Sequence, residues 1–492
     1  MTTVNHIDAS QLPAGVSLNR VFDIQARSSQ SEDNTWTNIT AIDVNVASAN
    51  AEQNEFNVRQ VGVASLSIPA GSFVDFRIQY KSTLESLGWA FVRPDSLDID
   101  IRIEDDIIIF TLEGAKDVMV EINGDKWQAL HLLINESDSQ APEQSNSRLW
   151  CFDTGINNGD AYKHVEDGQL IVPSNTTVYL GPGAFLTAQV IFSGVENASI
   201  RGPGFIYRPG KEYLPSNSGR PRELDGGAIL IQHSKNIVVQ DVCSLRVFGF
   251  SLPVCEGQRV HIDRFRSFSG YGNGDGIDLF CCQDVLIERC FLRNSDDTIA
   301  IYGHRWSYRG DTTDIRVRNC TLLPDIAHPI QIGTHGAPDK PEIFRRIHIS
   351  GIDILDHEEH QMWYQGCITL NAGDENLIRD VCIENVRVEK ITNGQLINIR
   401  VMKNAMWTTA PGRGIENVTI RNVELNTTRS KVVHPSMILG FDATRMVKNI
   451  SIENLRIDGV HIHDGMPKPR WYTVSDYVPM FVNEHVQSLL FK

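Results

Sequence analysis

The sequence predicts an all-β protein in which a right-handed parallel β-helix follows an N-terminal antiparallel β-sandwich. Two observations predict it. Apolar and polar residues alternate along short segments before residue 136, as in strands that have one buried face. Farther on, a pattern of apolar, any, apolar, any, turn and apolar residues recurs eight times. Such repeats are typical of solenoids, in which each coil buries its apolar face against the next.

The N-terminal strands are separated by glycine or aspartate turns, which suits a sandwich of antiparallel sheets. The predicted strands are residues 61–68, 73–80, 98–104, 106–112 and 118–122. A polar stretch over 137–148 then indicates a linker or surface loop. We therefore place the domain boundary there, with the sandwich at 1–140 and the β-helix at 141–492.

The repeats set the expected register of the β-helix. They begin at residues 237, 260, 285, 315, 347, 381, 418 and 450. Four of them carry Asn before the last apolar residue, at Asn319, Asn385, Asn422 and Asn454. Asn tolerates left-handed backbone geometry and can bond its neighbours in a stack. Cys290 and Cys320 occupy apolar positions of the repeat, so we expect interior fillers rather than ligands.

Composition excludes several classes of partner. The 492 residues carry a formal net charge of −16, which argues against nucleic acid and anionic membrane surfaces. The nine cysteines are an odd number without a Cys-x-x-Cys pair, so neither a complete disulfide framework nor a zinc site is expected. No apolar run approaches membrane-spanning length, and the N-terminal residues lack a signal-peptide core. We expect a soluble chain without metal or cofactor.

Carboxylates gather in one short part of the repeat region. Asp275 lies in a Gly-Asn-Gly-Asp-Gly turn, Asp278 follows, and the adjacent Asp296 and Asp297 come 21 residues after Asp275. If 21 residues make one coil, Asp275 and the pair lie on neighbouring coils, about 4.8 Å apart. Adjacent strand residues face opposite sides, so both members of the pair line a cleft only after a bend, which the preceding Asn-Ser can supply. On spacing alone, a catalytic site and a set of turn-capping or solvated aspartates fit equally well.

Three motifs in this order resemble those of the polygalacturonases of glycoside hydrolase family 28. NGDGIDLF contains Asp275, NSDDTIAIYG contains the Asp pair, and AHPIQIGTHG spans residues 327–336. The dextranase and isopullulanase family, glycoside hydrolase 49, is similar in fold and in its three aspartates. The resemblance covers about residues 150–460. It implies a right-handed parallel β-helix that hydrolyses glycosidic bonds with inversion.

Residue by residue, the resemblance implies Asp296 as the general acid and Asp275 and Asp297 as carboxylates that activate the water. His328 matches the histidine that supports the acid, although Ala precedes it and Pro follows it here. General chemistry agrees, because inverting hydrolysis needs a protonated acid at the leaving oxygen and an ionised carboxylate that holds water. Crowding raises the pKa of one carboxyl group, which keeps a proton available near neutral pH.

One departure from the polygalacturonase pattern bears on the substrate. Polygalacturonases carry an Arg and a Lys that grip the uronate carboxylate, and Ile368 and Leu370 stand at the matching positions here. Because a buried carboxylate needs a cationic partner, the sequence favours a neutral glycan, an α-glucan first, and the dextranase-type layout. Arg400 and Lys403 on the next coil offer a carboxylate site, so pectin is the alternative substrate.

Candidate substrate-binding residues follow the Asp pair in strand ends and long loops. Aromatic rings in a cleft stack on sugar faces, although any one of them serves equally well as packing filler. The predicted set is Tyr302, His304, Arg305, Trp306, His335, Trp363, Tyr364, Asn371, Arg400 and Lys403.

Two other classes of protein place clustered aspartates on a parallel β-helix. A calcium-dependent polysaccharide lyase needs a uronate substrate and a strong base, usually Arg or Lys. A non-catalytic adhesin or glycan-binding protein needs no acid and base. The resemblance favours the hydrolase, with a polysaccharide or oligosaccharide as partner. It also implies an extracellular or periplasmic location, and a cytoplasmic one is the alternative because the sequence shows no signal peptide.

Overall fold

The computed structural model describes residues 4–29, 35–50, 55–83, 85–138, 141–142, 144–160, 165–166, 168–208 and 220–492. Nearly all regular structure in these ranges is β-strand. The helical segments are the α-helices Arg222–Asp225 and Val474–Tyr477 and the 3-10 turns Asp95–Leu97 and Met362–Tyr364. None of these described helices has the length and apolar character that crossing a membrane requires.

Two sheets pack face to face in the N-terminal part. One consists of Val4–Asn5, Ala41–Asn50, Glu55–Ile68, Ala90–Arg93, Val118–Ile122 and Asp125–Glu136. The other consists of Phe22–Ser28, Thr37–Ile39, Phe73–Tyr80, Arg102–Glu104 and Ile107–Glu113. Within these two sheets, all pairings of described strands are antiparallel except that of Glu55–Ile68 with Asp125–Glu136. A single apolar core, which includes Leu66 and Phe76, lies between the two sheets.

The predicted strands of the sandwich are present except for the first part of 98–104. There Asp98 has a φ of 48° and ends the 3-10 turn, so the strand starts only at Arg102. The alternation that predicted a longer strand arises because Ile99 and Ile101 pack against the sandwich core from an irregular segment. The boundary at residue 140 stays a prediction. The last sandwich strand ends at Glu136, and within the expected linker residues 139, 140 and 143 lie outside the described ranges.

The chain from Leu149 onward winds into a parallel β-helix. Its 19-stranded sheet consists of Leu149–Phe152, Gly155–Asn157, Thr177–Leu180, Ala184–Leu186, Glu196–Arg201, Phe205–Tyr207, Lys235–Gln240, Cys243–Leu245, Gln258–Asp263, Arg266–Phe268, Gln283–Glu288, Phe291–Asn294, Thr312–Pro324, Ile343–Ile354, Leu377–Val388, Gly414–Leu425, Val447–Ile457, Val460–Ile462 and Val486–Phe491. A second sheet, here named the cleft sheet, consists of Val165–Glu166, Gln169–Ile171, Gln189–Ser193, Ile229–Gln232, Leu252–Cys255, Ile277–Phe280, Ile299–Tyr302, Ile330–Gly333, Ile368–Ala372, Ile397–Val401, Ser436–Leu439 and Met480–Val482. Asn393–Gln395 and Val432–His434 form a small additional sheet.

Like residues stack on like along the β-helix, as the repeat predicts. Ile277, Ile299, Ile330, Ile368 and Ile397 occupy one column of the cleft sheet and are completely buried. A second column on the other sheet contains Cys320, Ile352, Val386, Val423 and Leu455. Cys290 and Cys320 belong to the apolar core, which confirms that they fill space inside the solenoid.

The predicted asparagine stack is also present at the bends. Asn319, Asn385, Asn422 and Asn454 all have φ between 51° and 55°. The amide of Asn454 donates to Oδ1 of Asn422 at 3.0 Å, and the amide of Asn422 donates to Oδ1 of Asn385 at 2.9 Å. Side-chain amides therefore link successive coils where the backbone turns.

Candidate active site

Three successive coils bring catalytic-type side chains to the same end of the cleft sheet. Asp275, Asp297 and His328 each stand two residues before a strand of that sheet. The backbone N–H of Gly276 donates to the carbonyl of Asp297 at 2.8 Å, and that of Thr298 donates to the carbonyl of His328 at 2.9 Å. These bonds stack the three turns in register, so the side chains converge on one place.

A bend separates the Asp pair from the preceding strand. Asn294 ends that strand, and its buried amide donates to Oγ of Ser269 at 3.1 Å and to the carbonyl of Gly274 at 3.2 Å. The backbone bends at the next two residues, which frees Asp296 and Asp297 from the usual alternation of faces. Single carboxylate oxygens of these two residues and of Asp275 consequently lie within 4.8 Å of one another.

His328 anchors one member of the pair. Its Nδ1 lies 2.7 Å from Oδ1 of Asp297, and its backbone N–H donates to the same oxygen at 3.0 Å. Its Nε2 lies 2.8 Å from the carbonyl of Tyr364. Both ring nitrogens thus face acceptors, which requires an imidazolium that donates from each. Tyr302 donates its hydroxyl to Oδ2 of Asp297 at 2.7 Å, so both oxygens of that carboxylate are held.

The pKa values of the two adjacent aspartates are shifted in opposite directions. Burial would raise the pKa of Asp297, but the charge and hydrogen bonds of His328 hold the pKa of Asp297 below its usual range. Burial, and then the charge of Asp297, raise the pKa of Asp296 to about 7. Burial would likewise lower the pKa of His328, but Asp297 raises it. Near neutral pH the site therefore holds a protonated acid next to an ionised carboxylate.

With this geometry in view, comparison with known proteins identifies the family. The sequence model of glycosyl hydrolases family 28 matches residues 158–473, well over half of the chain. The chain belongs to this family. The family's description, glycosyl hydrolases, names the class of enzyme that the sequence predicts.

Curated relatives of this family 28 chain include two polygalacturonases. That of Juniperus ashei is 24% identical over 185 residues, which cover 37% of this chain and 33% of the relative. That of Chamaecyparis obtusa is 25% identical over 219 residues, which cover 42% of this chain and 39% of the relative. The chain thus spans between about a third and two fifths of the length of these relatives.

Among solved structures, Dex49A from Penicillium minioluteum resembles the chain over its whole length. The likeness has a TM-score of 0.61 at 12% identity and covers 99% of this chain and 100% of the other. It includes the N-terminal sheets and confirms the predicted fold class, a right-handed parallel β-helix preceded by a β-sandwich.

The candidate site of this family 28 chain contains a fourth aspartate, Asp278, for which the sequence predicts no role. Asp278 alternates with the core residues Ile277 and Leu279, so it faces outward, beside Asp275. Both of its carboxylate oxygens are buried and meet no amide, hydroxyl or cationic donor among the described residues, and the carboxyl group of Asp275 is their hydrogen-bond partner. Burial, and then the charge of Asp297, raise the pKa of Asp278, and burial and Asp278 raise that of Asp275. The alternation in GDGIDL was the signal that places Asp278 in the cleft.

Glu359 is a further acid that sequence reasoning missed. It is buried, and its Oε1 accepts the backbone N–H of Gln361 at 2.7 Å. Its charge acts on both Asp296 and His328, and burial raises the pKa of Glu359 itself. Nothing in the run of charged residues DHEEHQ distinguishes it, because its position depends on the path of a long loop.

Several predicted sugar-binding residues instead support the Asp pair. Tyr302 is buried and bonds Asp297, and its ring contacts that of His335 edge-on at 4.9 Å. Tyr364 is also buried, with its ring edge-on to His328 at 4.6 Å. Both residues thus contact the candidate catalytic groups Asp297 and His328. The prediction that Tyr302 and Tyr364 stack on sugars stays untested.

The other predicted binding residues lie around this centre at different depths. Arg305 lies over the ring of Trp306 at 4.6 Å, and its charge opposes the burial that raises the pKa of the carboxyl group of Asp275. His304 bonds the carbonyl of Tyr308 through Nδ1 at 2.6 Å. Burial, and then Arg305, lower the pKa of His335 to about 3.

Beyond the Asp pair, Trp363 is 65% exposed and stands over the guanidinium of Arg400 at 5.6 Å. Asn371 pairs with Arg400 in the cleft sheet and is completely buried, with Oδ1 unbonded among the described residues. Lys403 is exposed. Of the predicted set, Trp363 is thus the aromatic side chain most open to a ligand.

Three groups of described side chains have a spacing that suits a metal ion. One is the aspartate cluster itself, and the others are His348, Cys382 and Glu384, and His261, Asp263 and Glu288. At the aspartate cluster the imidazolium of His328 already compensates Asp297, which disfavours an added cation there.

Proposed function

We propose that this protein hydrolyses glycosidic bonds of a polysaccharide with inversion at the anomeric carbon. The observation that carries the proposal is that the pKa of Asp296 is raised while that of the adjacent Asp297 is lowered. Asp296, with a pKa of about 7, gives its proton to the oxygen of the leaving sugar. Asp297, ionised and held by His328, accepts the proton of the attacking water, and the neighbouring carboxyl group of Asp275 helps to position that water.

Asp297 has room for one water and little capacity to act as a nucleophile. A carboxylate offers about four lone pairs. Two donors from His328 occupy Oδ1, and the hydroxyl of Tyr302 occupies one of the two lone pairs of Oδ2. The remaining lone pair suits a hydrogen bond from water. Attack by Asp297 on a sugar would require the loss of these bonds, which favours direct attack by water.

The separation of the carboxylates alone does not decide the stereochemistry. Their nearest oxygens lie within 4.8 Å, close to the spacing of about 5–5.5 Å of retaining pairs and below the about 6.5–9.5 Å of inverting ones. A retaining enzyme needs a free, ionised nucleophile. Three hydrogen bonds hold the carboxylate of Asp297, and burial raises the pKa of Asp275. The electrostatics therefore support inversion more strongly than the spacing opposes it.

We propose a neutral α-glucan as the substrate, for a reason that lies in the cleft sheet. Ile368 and Leu370 are buried in the core of the β-helix. The residues of this strand that alternate with them are Thr369 and Asn371, which carry no charge. A uronate at this coil would meet no cationic partner, and burial of an unpaired carboxylate costs several kcal/mol.

A pectin-type uronate polymer is the second candidate, because of Arg400. This residue is 7% exposed, and its Nη1 has no hydrogen-bond partner among the described residues. Its Nη2 contacts only the sulfur of Met402, at 3.3 Å. Burial without a counter-ion lowers the pKa of Arg400 to about 10. A sugar carboxylate would supply the missing anion.

A substrate panel tests the proposal. Dextran, pullulan and polygalacturonate are incubated with the protein, and the anomeric configuration of the first product is followed by NMR. We expect one of them to be cleaved with inversion, and Asp296→Asn to abolish cleavage. Asp314→Asn, at an exposed ion pair with Arg346, serves as the matched control that retains activity. Retained configuration, or unchanged turnover in Asp296→Asn, would refute the mechanism.

Arg400→Met separates the two substrate candidates. If the substrate is a uronate polymer, kcat/KM on polygalacturonate falls by about 100-fold, as expected for loss of a charge-assisted bond. If the substrate is a neutral glucan, its cleavage changes little. Arg316→Met, at an exposed pair with Asp284, is the control for loss of one positive charge.

A further inference from the structure

An apolar face of the N-terminal sandwich packs against the β-helix. The contact lies close to the catalytic turns, which are the turns that carry Asp296, Asp297 and His328. One buried cluster contains residues of both parts. It includes Val44, Val61, Met119 and Leu133 of the sandwich and Phe268, Phe291, Leu323 and Leu355 of the β-helix. Phe291 begins the strand that leads to the Asp pair. The interface therefore shares packing with an element that positions catalysis.

A buried ammonium lies within this interface. Lys126, on the sandwich strand Asp125–Glu136, is 2% exposed. Its Nζ lies 3.0 Å from Oε2 of Glu358, 3.3 Å from Oδ2 of Asp356 and 4.0 Å from Oδ1 of Asp325. All three acids are buried and belong to the β-helix. Burial of so many charges is costly unless they compensate one another, and Lys126 supplies one positive charge that all three acids share.

Lys126 is connected to the Asp pair through Arg293. That arginine stands three residues before Asp296, and its Nη1 donates to the backbone carbonyl of Lys126 at 2.8 Å. Its other nitrogens form a two-point pair with Asp325 at 3.0 and 3.1 Å. The backbone N–H of Asp325 in turn donates to the carbonyl of Asn294 at 2.7 Å. The end of the strand that precedes the Asp pair is thus held from the sandwich side.

Lys126 is connected to His328 through Asp356. Oδ1 of Asp356 accepts the backbone N–H of His357 at 2.9 Å. The ring of His357 lies between the carbonyl of Ala327, 3.0 Å from Nδ1, and the N–H of Gly366, which donates to Nε2 at 3.0 Å. This pattern requires a neutral imidazole with its proton on Nδ1. Ala327, with φ of 70°, immediately precedes His328.

Neutral His357 depends on the charge balance around it. Burial, and then the charge of His328, lower the pKa of His357 to about 3, while Asp356 opposes that shift. Lys126 compensates Asp356. Without the ammonium, Asp356 would keep Lys390 at 3.7 Å but lose its nearer cation, and the less compensated carboxylate would favour a protonated His357, whose Nε2 can no longer accept from Gly366. The turn at Ala327 would then lose one of its supports.

We propose that Lys126 of the N-terminal sandwich is a positioning residue for the hydrolysis proposed above. It ties the turn that carries Asp296 and Asp297 to the turn that carries His328, and so sets the contact between His328 and Asp297. The sandwich is accordingly part of the catalytic unit. This inference rests on the proposed function for its kinetic test alone.

The kinetic test replaces Lys126 with Met in the full chain. We expect kcat to fall about tenfold or more while KM changes less than about twofold, because displaced turns affect the reacting groups rather than sugar binding. The acid limb of the pH profile moves to higher pH, since a looser contact with His328 lets the pKa of Asp297 rise. A merely structural role would lower stability and leave that limb in place.

Several charged groups contribute to the same profile and are unchanged in the variant. Those around Asp297 are Asp275, Asp278, Asp296, His328, Glu359 and Arg305. Those around Lys126 are Asp325, Asp356, Glu358, Arg93, Arg293 and Lys390. The comparison with wild type therefore isolates the ammonium.

Asp117→Asn provides a matched control at the same interface. Asp117 of the sandwich pairs with buried Arg266 of the β-helix at 2.6 Å, and neither residue contacts the catalytic turns. We expect this variant to lower Tm without moving the acid limb. If Lys126→Met changes kcat and the pH profile no more than Asp117→Asn does, the proposal is wrong.

A second variant and a second readout cover the other outcomes. If Lys126→Met does not fold, Lys126→Met combined with Glu358→Gln removes one charge of each sign, and an unmoved acid limb in that protein also refutes the proposal.

If wild type cleaves no glycan, the proposed function fails, but the contact between His328 and Asp297 is still measurable. Proton NMR of ¹⁵N-histidine-labelled protein, with His328→Gln for assignment, reports the Nδ1–H of His328. We expect this resonance to shift or broaden in the Lys126 variant, and an unchanged resonance would refute the positioning role.

Discussion

His328 directs two hydrogen-bond donors, its Nδ1 and its backbone N–H, at a single oxygen of Asp297. The contact joins two coils that are 31 residues apart in sequence. It keeps Asp297 ionised, and the negative charge of Asp297 then helps to keep the neighbouring Asp296 protonated. One contact thus accounts for the opposite protonation of two adjacent, identical side chains.

Replacement of His328 by Gln tests this dependence. Gln can still donate to Asp297 but carries no charge, so the pKa of Asp297 should rise and less of the base should be ionised. We expect kcat to fall by about 100-fold, within the range for loss of acid–base function. Steady-state kinetics measure the change. His348→Gln, at an exposed histidine 2.7 Å from Glu384, is the control and should retain full activity.

The pH profile of the wild-type enzyme follows from the same pair. The general acid must be protonated, and Asp296, with a pKa of about 7, loses its proton as the pH rises through that value. Asp297 must be ionised and is protonated only at low pH, because its pKa is lowered. We expect kcat/KM to fall about tenfold for each pH unit above neutrality. A plateau that extends to about pH 9 would contradict the assignment of Asp296 as the acid.

Tyr302→Phe removes the hydroxyl that bonds Oδ2 of Asp297 and leaves the buried ring in place. Loss of a hydrogen bond to a charged group costs about 1.5–3 kcal/mol, so kcat should fall by about 10- to 100-fold. KM should remain unchanged, because the hydroxyl faces Asp297 rather than the open cleft. Tyr472→Phe, at a 43% exposed tyrosine, is the control. A rise in KM alone would instead make Tyr302 a sugar-binding residue, as the sequence had suggested.

The parts of the site that sequence could predict are those that depend on periodicity. The 21-residue interval placed Asp275 and Asp296 on neighbouring coils. Ile368 and Leu370, which the sequence matched to the Arg and Lys that grip a uronate, instead lie in the core of the β-helix. Periodicity indicates which face a residue occupies but not which group it meets there. The sequence therefore proposed sugar for Tyr302 and did not indicate its hydrogen bond with Asp297. Lys126 is 232 residues from Glu358, and no local pattern can encode such a contact between two domains.

The asparagine stack permits a test of the fold apart from catalysis. Asn422 donates to Asn385, accepts from Asn454 and has a φ of 53°. Asn422→Ala removes both exposed hydrogen bonds and places a less tolerant residue in left-handed geometry. We expect the free energy of unfolding, measured by urea denaturation, to fall by about 2 kcal/mol. Kinetic constants should not change, because the stack lies on the 19-stranded sheet rather than the cleft sheet.

Asn422→Gly separates the two contributions of that side chain. Glycine adopts positive φ at little cost, so this variant loses the hydrogen bonds without the backbone strain. Its free energy of unfolding should fall by about 1 kcal/mol, half the loss in the alanine variant. If alanine and glycine destabilise equally, left-handed geometry is not what asparagine contributes at the bend. If neither variant destabilises the protein, the bonds between successive asparagines do not stabilise the coils, and the apolar columns alone hold the solenoid in register.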